Sequence, residues 1–250
     1  MIRDLRLILD GWEYEPGKIS VRKIMGRDGR EKVQTRIDLG LLQMELDGHP
    51  DGKRPHGQES FLDYLKARLQ HHIECHGNDS DFVLTPEECL ELRHETYLYY
   101  QRYLSLFVLE DYERVVRDTA RNLAVIDFCD KWAATHEDRQ ALVSQRPYVL
   151  MMHARAKAML AMRRQNFEEA LAAIADGIAA IEATGQDAAS EYPDSELRTL
   201  AEVRGQIIEQ MPQDAPARLR WELELAVAQE DYERAAELRN RMADLTSGGS

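Results

Sequence analysis

His71, His72, Cys75 and His76 fall within six residues of one another. On a helix, His71/Cys75 and His72/His76 are i,i+4 pairs, a spacing that can chelate zinc. His49 and His56 lie upstream in a Gly/Pro-rich loop and could add a third ligand. The chain has no CxxC and no HExxH. Leu69 and Ile73 turn part of the same helix toward a core, and histidines also favour helix C-termini because they complement the dipole. The expectation is therefore no cofactor and no metal, with His71, His72, Cys75 and His76 kept as the candidate ligands of a metal-dependent enzyme.

The second chemical feature is a basic run. Seven Lys/Arg stand between Lys18 and Arg36 against only Asp28 and Glu31. Arg22, Lys23 and Arg36 are the candidate contacts to a phosphate backbone, since a two-stranded ribbon can lie on one. No aromatic interleaves with them, so a base-stacking platform is not expected. The same cations could pair with acids of their own chain. The full chain of 250 residues carries 32 Lys+Arg against 45 Asp+Glu, a net charge of −13, which opposes coating by nucleic acid.

Catalytic patterns are lacking. There is no GxSxG, no P-loop and no Gly-rich dinucleotide turn, so the chain is expected not to be an enzyme. Met151, Met152, Met159 and Met162 suit either a peptide groove or ordinary core filling. Tyr97 and Tyr100, of a four-tyrosine cluster, are expected inside with their hydroxyls reaching polar neighbours. Three cysteines make a sparse, odd set that fits a reducing compartment, and no secretory or membrane-spanning segment is read, so a cytoplasmic protein is expected.

The elements that must carry these residues follow from pattern. Val33, Thr35, Ile37, Leu39 and Leu41 alternate with polar residues beyond the turn Asp28-Gly29, which predicts one β-hairpin over 18–46 with a bulge or bend at Gly40. From Glu59 onward the pattern is helical. Phe61, Leu62, Leu65, Leu69, His72 and Ile73 mark one apolar face, and Gly77-Asn78 ends that helix. Thr85-Pro86-Glu87-Glu88 is a capping box. Leu90, Tyr97, Leu104 and Val108 are expected to form the buried stripe that follows. Pro147 starts or kinks a helix.

One pentapeptide recurs: Asp111-Tyr112-Glu113-Arg114-Val115, Asn166-Phe167-Glu168-Glu169-Ala170 and Asp231-Tyr232-Glu233-Arg234-Ala235. Each copy offers an N-cap residue, an aromatic, and a Glu in the first turn. The repeat predicts helical hairpins at about 86–133, 147–184 and 194–245, with linkers at 185–193 and 211–216.

The segment 217–245, ARLRWELELAVAQEDYERAAELRNRMADL, resembles the UVR motif, the helical hairpin shared by the UvrB and UvrC excision-repair proteins and by regulators of Clp-type AAA+ chaperones such as McsA. Leu219, Leu223, Ala226, Tyr232, Glu233, Ala235, Ala236, Leu238, Arg239, Met242 and Leu245 carry the likeness, while Asn240 stands where that family usually has Asp. The middle hairpins are similar, more loosely, to tetratricopeptide repeats, and the whole resembles the bacterial UvrB/UvrC motif-containing proteins. The resemblance implies docking to a UVR-containing or AAA+ partner, in DNA repair or protein quality control.

The expected fold is mainly α: stacked tetratricopeptide-like hairpins, a small N-terminal β-hairpin element and a C-terminal UVR-like hairpin. The expected boundaries are 1–57, 58–211, 214–245 and a disordered Ser/Gly-rich tail at 246–250. On the terminal hairpin, Leu219, Leu223 and Ala226 form one stripe and Trp221 and Leu225 a second, with Tyr232, Ala235, Ala236, Met242 and Leu245 facing back from the second helix. The second stripe packs on the chain's own third hairpin or on a partner. Trp221, Leu225, Tyr232, Ala235, Ala236 and Arg239 are the candidate partner-binding residues. The expected function is a non-enzymatic adaptor, with a nucleic-acid-associated factor as the alternative. A homodimer through Trp221 and Leu225 is expected, and no membrane association.

Overall fold

The computed structural model describes residues 4–185 and 194–247, and the expected linker at 185–193 lies almost wholly outside them. Within the described residues the chain is mainly helical, with one small antiparallel sheet near the N-terminus. It divides into two compact units, 1–156 and 157–250. That division falls inside a helix and coincides with none of the boundaries expected at 57, 211 or 245.

In the first unit a short helix α1 (Arg6–Leu9) precedes strands β1 (Val21–Met25), β2 (Glu31–Ile37) and β3 (Gly40–Glu45), in the order β1-β2-β3. The expected single hairpin is thus a three-stranded meander. The run from Val33 to Leu41 is two strands, because Ile37 pairs with Gly40 across a two-residue turn at Asp38-Leu39. Gly40 opens β3 and is no bulge. Leu39 kept the alternation intact in the sequence, but it sits exposed at the turn tip.

Helices α2 (Phe61–His76), α3 (Pro86–Val108), α4 (Tyr112–Trp132), α5 (His136–Val143) and α6 (Arg146–Arg163) follow. Local chemistry sets their ends. Ser60 accepts the Asp63 amide to start α2, and Gly77 ends it in the left-handed conformation at φ 80°. The Thr85–Glu88 box forms in both directions, at 3.3 and 2.9 Å. Phe61, Leu62 and Leu65 of α2 enter one cluster with Leu92 of α3 and Val125, Ile126 and Phe128 of α4. Met151 and Met152 of α6 are buried as core fillers.

The stripe expected on α3 is displaced. Leu90, Tyr97 and Val108 are exposed, and the buried face carries Leu92, Thr96, Tyr99, Tyr103 and Leu106. Glu95, Arg102 and Ser105 share that face. A count of apolar spacing passes over a face that includes such residues and settles on its neighbour.

The second unit runs from Lys157 through α7 (Phe167–Gly185), α8 (Asp194–Gln210), α9 (Pro216–Ala228) and α10 (Tyr232–Ser247). Helix α10 reaches two residues into the segment expected as tail, and 248–250 lie outside the described residues.

Each pentapeptide copy sits at a helix–helix turn built the same way. The residue before it takes a left-handed backbone: Glu110 at φ 58°, Gln165 at φ 57°, Glu230 at φ 60°. The amides of Asp111, Asn166 and Asp231 then donate to the carbonyls of Leu106, Ala161 and Ala226 at 2.9, 3.0 and 2.9 Å. This is the six-to-one closure that satisfies orphan carbonyls at a helix end. The residue four past the cap (Val115, Ala170 or Ala235) is buried in every copy.

Candidate functional site

The histidine cluster does not assemble a metal site. No group of three or more His, Cys, Asp or Glu among the described residues is arranged to hold a metal ion. The His72 and His76 rings stack with centroids 4.2 Å apart, and His72 lies edge-on to Phe82. His76 Nδ1 pairs with the His72 carbonyl at 2.9 Å, and Cys75 Sγ is 3.6 Å from His71 Nε2. His56 stacks on Tyr64 instead of joining them.

The three candidate cations of the basic run are paired within their own unit. Arg22 Nε donates to Gln34 at 2.8 Å, Gln34 donates on to Gln43 at 2.9 Å, and the Arg22 guanidinium stacks 4.0 Å over Trp12. Arg36 donates to the carbonyls of Trp12 and Gly40 at 2.9 and 2.8 Å. Lys23 pairs with Asp111 at 2.9 Å. All three candidate phosphate contacts thus hold the sheet to the N-terminal segment and to α4.

Sequence reasoning missed a buried polar network between the loop after β3 and helices α3 and α4. Arg102 forms a two-pronged pair with Asp118 at 2.7 and 2.8 Å and donates to the carbonyls of Glu45 and Gly48. Both side chains are fully buried. Glu95, also buried, accepts the amides of Phe61 and Leu62 at the start of α2 and an ion pair from Arg121. His49 bridges Asp51 and Glu95, with Nε2 3.2 Å from the latter. Burial pulls the His49 imidazole below its ordinary range, against the neighbouring Asp51. Its two ring nitrogens face the carboxylates of Asp51 and Glu95.

At the network's edge, Asp47 accepts from Arg114 and Arg117, and the Arg114 bond above all holds its carboxyl down at about 2. Tyr99, under the Arg102 and Arg121 guanidinium groups, is pushed up to about 12 by burial. These partners sit far apart in sequence. The available signal was Arg102 itself, placed between Tyr99 and Leu106 on one helix face.

The terminal hairpin leaves side chains unspent. Leu219 and Ala226 of α9 close on Ala235 and Leu238 of α10, with Leu223 and Met242 half-buried at the margin. Ala235, a candidate for partner contact, is therefore inside the hairpin. Trp221 is half-buried and, with Leu171 and Ala175 of α7 and Ile208 of α8, lines an open cleft of about 360 Å³. Leu225, Tyr232, Ala236 and Arg239 are exposed, so Tyr232 and Ala236 do not face back into the hairpin. The side chain of Leu245 lies outside the described residues.

An apolar-seamed helical pair with an open outer face is the form of a small docking module. Residues 217–245 match the family described as UVR, the UvrB/uvrC motif, a motif associated with protein interaction and DNA repair. The chain is thus a UVR motif-containing protein, with the motif on α9 and α10. No curated protein and no solved structure matches the chain. No helix among the described residues is long and apolar enough to cross a membrane.

Proposed function

We propose that this protein is a non-enzymatic cytoplasmic adaptor that docks another protein through its C-terminal hairpin. The observation that carries this reading is the UVR match on a hairpin whose outer residues Leu225, Tyr232, Ala236 and Arg239 are exposed. The partner is a UVR-containing or Clp-type AAA+ protein, in repair or in protein quality control. The internal pairing of Arg22, Lys23 and Arg36 favours a protein partner over nucleic acid. The test is capture with the full chain as bait, compared with a Tyr232→Ala/Arg239→Glu variant. A partner retained by the first and lost by the second is the expected result. Equal capture by both removes the hairpin from the function, and a salt-steep gel shift on duplex DNA restores the nucleic-acid reading.

A further inference from the structure

The first and third copies of the repeated turn stand 120 positions apart, and the correspondence holds residue by residue. Leu106 and Ala226 accept the closing amide, Glu110 and Glu230 take the left-handed backbone, and Val115 and Ala235 are buried. Beside them, Phe107, Tyr112, Val116 and Thr119 correspond to Val227, Tyr232, Ala236 and Arg239.

In the first copy this face is covered by α6. The Arg155 guanidinium lies 4.7 Å over the Phe107 ring, and His153 Nδ1 pairs with the Thr119 hydroxyl at 2.9 Å. Tyr112 is 5% exposed beneath them. In the third copy the same face is bare, with Val227 44% and Tyr232 69% exposed. Where Thr119 meets His153, the third copy carries Arg239, an exposed guanidinium with no partner among the described residues.

We infer that the α9–α10 face bearing Val227, Tyr232, Ala236 and Arg239 is completed by an amphipathic helix of a partner protein, seated as α6 is seated on α3 and α4. That helix presents a carboxylate opposite Arg239, at the place α6 gives to His153. The inference rests on the adaptor reading and goes further by fixing the face, the secondary structure and the charge of what docks there. Burial of an aromatic anchor beside a charge-assisted bond is a common basis for a small hot spot.

The probe is a hydrocarbon-stapled peptide of residues 146–163 carrying His153→Glu, titrated onto the full chain by fluorescence anisotropy; its counterpart carries His153→Lys. The expected result is about tenfold tighter binding of the H153E peptide, since like charges would meet in the other. Arg239→Glu in the protein reverses that preference, Tyr232→Ala weakens both peptides, and Leu90→Ala, at an exposed position of α3 outside the hairpin, leaves both unchanged. Circular dichroism verifies that these exposed substitutions keep the fold. No binding of the H153E peptide at about 1 mM, or no reversal by Arg239→Glu, overturns the inference. So does a concentration-dependent dimer lost on Tyr232→Ala, which gives the face to a second copy. If the peptides are silent while the bait still captures a partner through the hairpin, the adaptor reading stands and this inference alone fails.

Discussion

Tyr112 and Tyr232 occupy the same place in two copies of one turn, yet Tyr112 is 5% exposed and Tyr232 69%. The local sequence is alike on both sides, so the difference lies in what packs on top. Substitution therefore separates them. Tyr112→Ala, which empties a packed site beside Phe107, should cost about 3 kcal/mol in urea unfolding. Tyr232→Ala should shift stability by less than about 0.5 kcal/mol. A large loss at Tyr232 would mean that its ring belongs to the hairpin's own core.

Arg102 and Asp118 give a second test. Asp118→Ala leaves a guanidinium buried without its counter-charge, a change that costs about 3–5 kcal/mol. Arg102→Met with Asp118→Leu removes both charges and should cost less than Asp118→Ala alone. It will not be neutral, because Arg102 also donates to the carbonyls of Glu45 and Gly48. Denaturant midpoints of the three proteins check the order. If Asp118→Ala is the mildest of the changes, the pair does not hold the loop.

What the sequence made legible was local chemistry. Thr85–Glu88, Gly77 and the turn pentapeptides act within a few residues, and Asn166 and Asp231 cap their helices through the side chain, whereas Asp111 makes no such bond and pairs with Lys23 and Arg114 instead. The UVR hairpin was legible for the same reason, since its seam is a short-range pattern of Leu219, Ala226, Ala235 and Leu238. The Asp38-Leu39 turn was not, because it lacks the Gly or Asn that usually marks a tight hairpin. The polar network was not, because Glu95, Arg102 and Asp118 read as solvent-facing charges until the loop carrying His49 is laid over them. The outer docking face was half legible. Tyr232, Ala236 and Arg239 were picked by resemblance, whereas Val227 became visible only beside Phe107.

Asp47 predicts an acid limb in stability. Its folded value of about 2 lies below the ordinary 3.8, so its contribution is complete above the unfolded value and fades as pH falls from about 5 toward 2. The carboxylate is largely exposed, and solvent screening keeps the amount below about 1 kcal/mol. Asp47→Asn should flatten that part of a stability profile measured between pH 6 and pH 2. An unchanged slope would assign the acid sensitivity to other carboxylates.

Metal removal should change nothing. His72 and His76 stack on each other, His72 meets Phe82 edge-on and Cys75 Sγ pairs with His71, so no third ligand joins either pair among the described residues. Dialysis against a chelator should leave the thermal midpoint where it was, with zinc well below one per chain by elemental analysis. Stoichiometric zinc, lost together with stability, would reinstate the cluster as a site.

The left-handed residue of the last turn offers a gain instead of a loss. Glu230 holds φ at 60°, where a side chain crowds the following carbonyl at a cost of about 1–2 kcal/mol. Glycine tolerates that backbone freely but loses more entropy on folding, by roughly 0.5–1 kcal/mol. The balance for Glu230→Gly is a stabilisation of a few tenths to about 1 kcal/mol, consistent with glycine's preference just past helix ends. Glu230→Val goes the other way by more than about 1 kcal/mol, since a β-branched side chain fits that region worst. The gain should be local. Amide exchange should slow at Asp231 and Ala235, whose amides close the turn on Ala226 and begin α10, while α3 and α4 stay unchanged. Faster exchange in the glycine variant would show that Glu230 contributes through its side chain and not merely through the backbone angle it tolerates.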